Sequence, residues 1–431
     1  MKNYIEELRW RGLIHEMIPG IEEYLMENKV AGYLGVDPTG DSMHIGNLIP
    51  VMMMVHLQRA GHTPIMLVGG ATGRVGDPSG KDKERKLLTS KQIAKNVAGI
   101  KKQLAYFVDF EGVENPAQIV NNYDWFEHTR FIGFLRDVGK HIPISYMLNK
   151  ESVKKRMASD SGISYTEFAY QLLQGYDFLH LYENKGVRIQ VGGSDQWGNI
   201  TTGTELIRRK LGGKAYAVVC PLLTREDGKK FGKSEDGSSI WLDAEKTSPY
   251  EFYQYWLKVG DEDAKRFIKI FTLKEKDEID SLIEEHDKDP GRRSLHKALA
   301  EDITLRVHGE DGLKSALNLT EFLFGRNTTP EALAALSQKD WETITKSSDK
   351  LEISSKSLKK GIGIMDLLTE LGVTKSKGEA RRAIEKDKSI RINMEKVEDI
   401  NMVVDLEVAF FNSYFQLQKG KKNKFIVELT K

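Results

Sequence analysis

Short apolar runs bounded by glycine, proline and asparagine recur along the first half of the chain. Between them lie longer stretches in which apolar positions return every three or four residues. The runs at 31–36, 64–70, 118–122, 186–193 and 215–220 predict five buried strands. Helical patterns run from about His44 to the stop at Gly61, over 89–107, through most of 123–182 and over 196–210. Residues 3–28 read as an amphipathic helix pair broken at Pro19-Gly20. Strands alternating with helices predict an α/β fold, a doubly wound parallel sheet with its site at the strands' carboxyl ends. The 123–182 stretch is then a helical insertion.

The pattern changes after the fifth strand. Residues 248–323 carry helical periodicity and little strand pattern, which predicts a small α-helical domain within 236–324. Residues 325–360 turn rich in Ser, Thr, Lys and Glu and read as a linker region, flexible over 346–360. Apolar periodicity resumes over 361–431, which predicts a separate small domain. The first domain is expected to span 1–235.

Composition removes several classes of function. A chain of 431 residues, 40% hydrophobic, has enough apolar material for two to four domains. A net charge of +1 means that nucleic-acid binding has to come from local patches. The single cysteine, Cys220, excludes a disulfide framework and a multi-cysteine metal site, so no metal centre is expected. No apolar run reaches membrane-spanning length, and the N-terminal residues lack a signal-peptide core. A soluble cytoplasmic protein is expected.

Candidate chemistry lies in the loops after the predicted strands. In AGYLGVDPTGDSMHIGN (31–47) a strand breaks at Asp37-Pro38-Thr39-Gly40 and a helix opens near His44. A helix N-terminus suits an anion, and Gly46 would let a flat ring or a phosphate approach. A strand–helix turn with a solvated histidine would share that pattern. The loop 69–85 is glycine-rich and carries Asp77, Lys81 and Arg85. Gly192-Gly193-Ser194-Asp195-Gln196 follows the fourth strand, where Asp195 could hold ribose hydroxyls. Lys229-Lys230-Phe231-Gly232-Lys233-Ser234 offers lysines and a hydroxyl to a polyphosphate. Neither glycine-rich lysine loop has P-loop spacing, since each pair of glycines is one residue too close.

Together these segments resemble class I aminoacyl-tRNA synthetases. His44-Ile-Gly-Asn is similar to their HIGH signature and Lys230-Phe-Gly-Lys-Ser to their KMSKS signature, in the expected order. YLGVDPTGDSMHIGN, GGATGRVGDPSGK, YTEFAYQLLQGYDF and VGGSDQWGN together resemble the bacterial tyrosyl-tRNA synthetases, and the likeness covers essentially the whole chain. The resemblance implies a Rossmann-like catalytic domain, a helical domain and a C-terminal α+β S4-like RNA-binding domain over 361–431. It implies activation of tyrosine with ATP to tyrosyl-adenylate and transfer of the tyrosyl group to tRNA(Tyr). ATP is then a substrate accompanied by Mg2+, with no prosthetic group.

The same resemblance assigns roles. Thr39, His44, Asn47, Lys81, Arg85, Lys230, Lys233 and Ser234 would serve the phosphates in catalysis, with Asn47 in the second-histidine position. Gly35, Gly46, Gly192, Asp195 and Gln196, with His44, Asn47, Lys230 and Lys233, would line the ATP site. Tyr33 and Asp177 would bond the phenol hydroxyl of tyrosine, and Asp77, Tyr170 and Gln174 its ammonium group. Asp37 and Gln190 would help line that pocket. Tyr170, Gln174 and Asp177 fall at i, i+4 and i+7, on one helix face, which agrees with a shared pocket.

The resemblance also implies a homodimer through the insertion, for which Phe131, Phe134, Leu135, Ile142, Ile144, Tyr146 and Met147 are the apolar candidates, core packing being the alternative for most. Between Lys375 and Arg391 seven basic residues face three acidic ones, a local patch that can meet phosphates. Lys375, Lys377, Arg381, Arg382, Lys386 and Lys388 are the candidate tRNA contacts, and 419–424 adds four more lysines. Two other readings remain at this point: the sister tryptophanyl-tRNA synthetases, and a non-catalytic RNA-binding protein on a synthetase scaffold.

Overall fold

A computed structural model describes the chain except residues 1, 78, 80–87, 160–161, 227, 229–230, 234–236, 325–328, 335, 348–349, 421–422 and 431. It divides into two compact units, Met1–Thr247 with Gln254–Val307, and Ser248–Tyr253 with His308–Lys431.

The first unit is built on a six-stranded sheet: β1 (Glu16–Met17), β2 (Ala31–Val36), β3 (Thr63–Val68), β4 (Gln118–Asn121), β5 (Val187–Gly193) and β6 (Tyr216–Cys220), in the order β1-β6-β5-β2-β3-β4. The five predicted strands pair in parallel. The chain winds outward from β2 to β4, then restarts on the other side of β2 with β5. That reversal opens a crevice at the carboxyl ends of β2 and β5, the place where such sheets take ligands. Tyr33 and Gln190 are neighbours in register across it.

The helix α1 (Leu48–Arg59) is buried at nearly every position, because it packs on β2, β3 and β5 while other helices cover its back. Its run of methionines is core rather than one face of an amphipathic helix. The helix α2 (Tyr165–Lys185) starts at a capping box, Ser164 with Glu167, and stops at Gly186 in the left-handed region, φ 65°. It crosses α3 (Trp197–Leu211) at a glycine contact. A Cβ on Gly203 would lie 2.9 Å from Phe178 Cβ, so no side chain fits there.

The structure departs from the sequence reading in three places. Residues 3–28 are not simply two helices, since β1 sits between them and pairs antiparallel with β6. The insertion is helical, as expected, in a series of short helices, Tyr123–Phe126, Phe131–Asp137, Ile144–Leu148 and Glu151–Met157, before the long α2. The predicted helical domain is divided: residues 254–307 belong to the first unit, and the helix Ser294–Phe324 breaks at Gly309 (φ 71°, ψ −177°) where the second begins. The predicted linker is largely structured. Lys350–Ser354 is a strand pairing in parallel with Asn423–Thr430, and Trp341 and Ile344 are buried with Tyr414 and Ile426.

The second unit has a five-stranded sheet, in the order Glu395–Lys396, Ile390–Ile392, Tyr414–Lys419, Asn423–Thr430, Lys350–Ser354. Helices Ile364–Glu370 and Lys377–Glu385 precede the Ile390 strand, the helix–turn–helix and strand expected of an S4-like domain. They share a core of Leu367, Leu368, Ile384, Phe415 and Val427.

Candidate active site

The loop after β3 turns directly over the crevice, and glycine makes the turn possible. A Cβ on Gly69 would stand 2.2 Å from Asp37 Oδ1 and 2.3 Å from Thr72 Oγ1. The close approach lets Thr72 Oγ1 donate to Asp37 Oδ1 at 2.7 Å. Tyr170 on α2 donates to the other oxygen of Asp37, also at 2.7 Å. From the end of β4, Asn122 Nδ2 donates to Thr72 Oγ1 and to Asp177 Oδ2, both at 3.0 Å. Trp125 Nε1 donates to Asp177 Oδ1 at 2.9 Å. The result is one continuous polar chain: Trp125, Asp177, Asn122, Thr72, Asp37, Tyr170.

This chain is buried. Asp177 is 2% exposed and Asn122 fully enclosed. Burial pushes the Asp177 carboxyl up to about 8, against the pull of its two donors. Tyr33 is 1% exposed, packs edge-on to Phe178 at 5.3 Å, and its hydroxyl finds no partner among the described residues. Gln190 Oε1 is likewise buried without a partner. Burial also raises the Tyr33 and Tyr170 hydroxyls well above their ordinary range.

A second cluster adjoins the first. Asp77 accepts from Gln196 Nε2 at 2.7 Å, from Asn199 Nδ2 at 3.2 Å and from the Ser79 backbone at 3.0 Å. Gln196 also donates to the half-buried Asp195 at 3.3 Å. Gln174 is half-buried on α2, while Gly35 and Thr39 are exposed at the rim.

The helix opening is less bare than the sequence suggests. A 3-10 turn, Ile45–Asn47, precedes α1. Its Ile45 N–H donates to Ile240 and its Asn47 N–H to His44, so these two groups are not offered to an anion. Asn47 Oδ1 accepts from the His44 N–H at 3.0 Å, which leaves the amide's donating end for a ligand. Gly46 packs against the His44 ring, where a Cβ would meet Cε1 at 2.9 Å and push the imidazole aside.

The Phe231–Lys233 stretch lies against this turn. A Cβ on Gly232 would be 3.3 Å from Gly46 N, and Gly232 takes φ 84°. Phe231 is buried among Tyr255, Trp256, Phe267 and Phe271. Lys233 Nζ donates to Ser239 Oγ at 3.0 Å. Lys81, Arg85, Lys230 and Ser234 lie outside the described residues.

The structure therefore brings Tyr33, Asp37, Tyr170, Asp177 and Gln190 to one crevice, with Asp77 and Gln196 tied together beside it. Sequence reasoning missed Thr72, Asn122 and Trp125. Asn122 has the one legible signal of the three, a polar residue closing the predicted strand 118–122.

In the second unit all six candidate tRNA contacts are exposed. They are not equally available: Lys377 pairs with Asp366, and Arg382 lies 3.8 Å from Asp387. Arg381, Lys386 and Lys388 make no ion pair among the described residues. Of the 419–424 lysines, Lys419 is bound to Glu379 at 2.7 Å and to the Val373 carbonyl, and Lys424 Nζ reaches the Phe322 carbonyl. Lys421 and Lys422 lie outside the described residues.

One trio elsewhere, Asp261, His286 and His296, has the donor atoms of a metal site. His286 Nε2 and His296 Nε2 lie 3.2 and 3.5 Å from Asp261 Oδ1, but His296 Nε2 also faces the Val259 carbonyl at 3.1 Å. Neither Nδ1 has a partner among the described residues to orient it as metal ligands are usually oriented. The donor set fits a hydrogen-bonded tie between helices better than a metal centre.

Comparison with known proteins gives the family. Residues 26–325 match the model of class I tRNA synthetases (W and Y), and residues 343–427 match the tyrosine–tRNA ligase SYY-like C-terminal domain. The chain is 51% identical to a tyrosine–tRNA ligase of Bacteroides fragilis over 429 residues, 99% of both chains. It is 50% identical to one of Cytophaga hutchinsonii over 430 residues, again 99% of both. A C-terminally truncated mitochondrial tyrosyl-tRNA synthetase of Aspergillus nidulans superposes with a TM-score of 0.69 at 33% identity, covering 75% of this chain and 95% of that one. The chain belongs to the class I tRNA synthetases of the tryptophan and tyrosine group and, within it, to the bacterial-type tyrosine–tRNA ligases.

Proposed function

We propose that the crevice at the carboxyl ends of β2 and β5 activates tyrosine, and that the roles of its residues follow from the geometry above. The protein is a tyrosine–tRNA ligase: it joins L-tyrosine to ATP and transfers the tyrosyl group to tRNA(Tyr). The tyrosine carboxylate attacks the α-phosphate and pyrophosphate leaves. A terminal ribose hydroxyl of the tRNA then attacks the adenylate's carbonyl and AMP leaves. The carboxylate is already a nucleophile at neutral pH, so catalysis comes from positioning and from donors aimed at the charge on the phosphates.

In this reading Tyr33 and Asp177 take the phenol hydroxyl, while Asp77, Tyr170 and Gln174 face the ammonium group, with Asp37 fixing Tyr170. His44, the Asn47 amide and Thr39 meet the phosphates. Lys233 closes on them together with Lys81, Arg85, Lys230 and Ser234, and Mg2+ enters with ATP. Gly35, Gly46 and Gly192 leave room for the nucleotide, whose ribose meets Asp195 beside Gln196. The single observation that carries the tyrosine assignment is the pair of orphaned polar atoms, Tyr33 Oη and Gln190 Oε1, beside the tethered Asp177. An indole N–H could also donate to Asp177, as that of Trp125 does, but only a phenol oxygen can in addition accept from the Tyr33 hydroxyl.

Residues 308–431 serve as the tRNA-binding unit, with Arg381, Lys386 and Lys388 the most available cations. Dimerisation through the insertion is supported by Phe131, Ile132 and Ile144, which are 63%, 73% and 66% exposed. Ile142 and Met147 are instead core residues, and Phe134 and Tyr146 pack against that core. Among the described residues no helix is long and apolar enough to cross a membrane, which agrees with work in the cytoplasm.

Tyrosine-dependent exchange between ATP and pyrophosphate, run in parallel with tryptophan and phenylalanine, tests the proposal. Exchange with tyrosine alone is expected, and equal exchange with tryptophan would overturn the pocket assignment.

A further inference from the structure

We propose that Trp241 is a positioning residue for His44, linking the loop that contains Lys233 to the turn that opens α1. The inference rests on the reading that His44 serves the phosphates.

Trp241 follows the Lys233 loop, and its backbone is stitched to the turn. It forms a bridge with His44, flanked by hydrogen bonds from the Ile45 N–H to Ile240 (3.0 Å) and from the Leu242 N–H to Met43 (2.9 Å). One step earlier the Ile240 N–H donates to the Gly232 carbonyl at 3.1 Å, and Lys233 bridges Ser239. The loop base and the His44 turn therefore form one hydrogen-bonded unit.

The Trp241 side chain adds a second tie. Its ring stands 5.9 Å from the His44 ring at 68°, the edge-on arrangement that aromatic pairs favour. The same ring lies over Gly40, where a Cβ would be 3.8 Å from Cζ3. The indole is itself held. Its backbone N–H donates to Thr247 Oγ1 at 2.9 Å, and Lys246 Nζ lies 4.7 Å above the ring. Lys246 pairs with Asp41, which also binds Lys95 at 2.8 Å. Asp41 thus fixes Lys246, Lys246 the indole, and the indole the imidazole. A side chain that served packing alone would have no need of a cation on one side and a catalytic ring on the other.

A change at Trp241 should then act on the rate of adenylate formation through His44. Trp241→Leu should lower kcat of pyrophosphate exchange about five- to tenfold, the scale of one edge-on aromatic contact, with the KM for tyrosine unchanged. Trp241→Phe, which keeps an aromatic edge, should recover most of the rate. In a His44→Ala background, Trp241→Leu should cost little further. Additive losses, or a Trp241→Leu variant that raises the KM for tyrosine and for ATP without lowering kcat, would overturn the proposal. If Trp241→Leu does not fold, Lys246→Ala takes its place in the cycle, and its rate deficit must likewise vanish without His44. Absence of a deficit in Lys246→Ala would count against the proposal. Should His44→Ala itself leave the rate unchanged, the phosphate reading of His44 fails, and this inference with it. Should His44→Ala be slow and Trp241→Leu normal, only this inference fails.

Discussion

Tyr33→Phe should separate folding from binding by moving them in opposite directions. The substitution removes one oxygen from a side chain that is 1% exposed and leaves the ring on Phe178 at 5.3 Å. In the unliganded protein that oxygen is buried and unpartnered among the described residues. A buried polar group in that condition costs roughly 1–3 kcal/mol. Local relaxation recovers part of this, so the variant's fold should be unchanged or more stable by up to about 1 kcal/mol. Tyrosine, by contrast, would lose one hydrogen bond to its hydroxyl, worth about 1–1.4 kcal/mol, which raises its KM about five- to tenfold. Phenylalanine loses nothing, so the preference for tyrosine should narrow by the same factor. Denaturant unfolding without ligand and pyrophosphate exchange with the two amino acids measure the two effects. Destabilisation of the unliganded variant by more than about 1 kcal/mol would show that the hydroxyl has a partner in the empty site. An unchanged KM for tyrosine would show that it does not meet the substrate.

Three further outcomes are expected. Burial raises the folded carboxyl of Asp177 to about 8, above its value of about 4 in an unfolded chain. The folded state therefore holds the extra proton in between, and stability falls as pH rises from about 4 to 8. Asp177→Asn should remove that slope, so its stability relative to the parent should rise by more than about 1 kcal/mol from pH 5 to pH 8; a difference independent of pH would contradict the assignment. Ile132→Lys places a charge on an apolar side chain that is 73% exposed, and sedimentation should show a shift from dimer toward monomer with an unchanged thermal midpoint of the monomer; an unaltered dimer would place the interface elsewhere. Arg381→Ala with Lys386→Ala should weaken tRNA charging and lower its salt dependence by about two ionic contacts, while pyrophosphate exchange stays at its full rate; a matching loss in exchange would show that the change reaches the first unit.

The central parallel strands were legible because they are largely buried on both faces and bounded by turn residues, whereas β4, at the sheet edge, is only partly buried and shows through its Ile-Val pair and the asparagines that follow. β1 was not legible, since a two-residue edge strand, Glu16–Met17, has no period to detect. The strand Lys350–Ser354 is hidden for a related reason. Only Ile353 is buried, and its polar neighbours gave the segment the composition of a linker. The domain boundary at Gly309 falls inside an uninterrupted helical pattern, and one glycine in such a pattern does not announce a break. In the site, spacing placed Tyr170, Gln174 and Asp177 on one face of α2. It could not show that Asn122 and Thr72, 50 residues apart, share a hydrogen bond. Long-range polar contacts leave no periodic trace.

On the proposed assignment of the pocket, that hidden chain bears on how a buried acid can recognise a hydroxyl. Burial raises the Asp177 carboxyl to about 8, so the folded protein holds it largely protonated at neutral pH, and a hydroxyl donating to it from a ligand favours its ionisation. Asn122 and Trp125 each donate to one of its oxygens, which opposes burial and fixes both lone-pair directions. Asn122 is held in turn through Thr72 and Asp37 to Tyr170, so the two ends of the tyrosine pocket are set by one network. Beside it Tyr33 Oη and Gln190 Oε1 have no hydrogen-bond partner among the described residues. The unliganded fold thus carries a desolvation cost that a phenol hydroxyl can relieve and a bare phenyl ring cannot. On that assignment, discrimination against phenylalanine is a property of the folded protein before any substrate arrives.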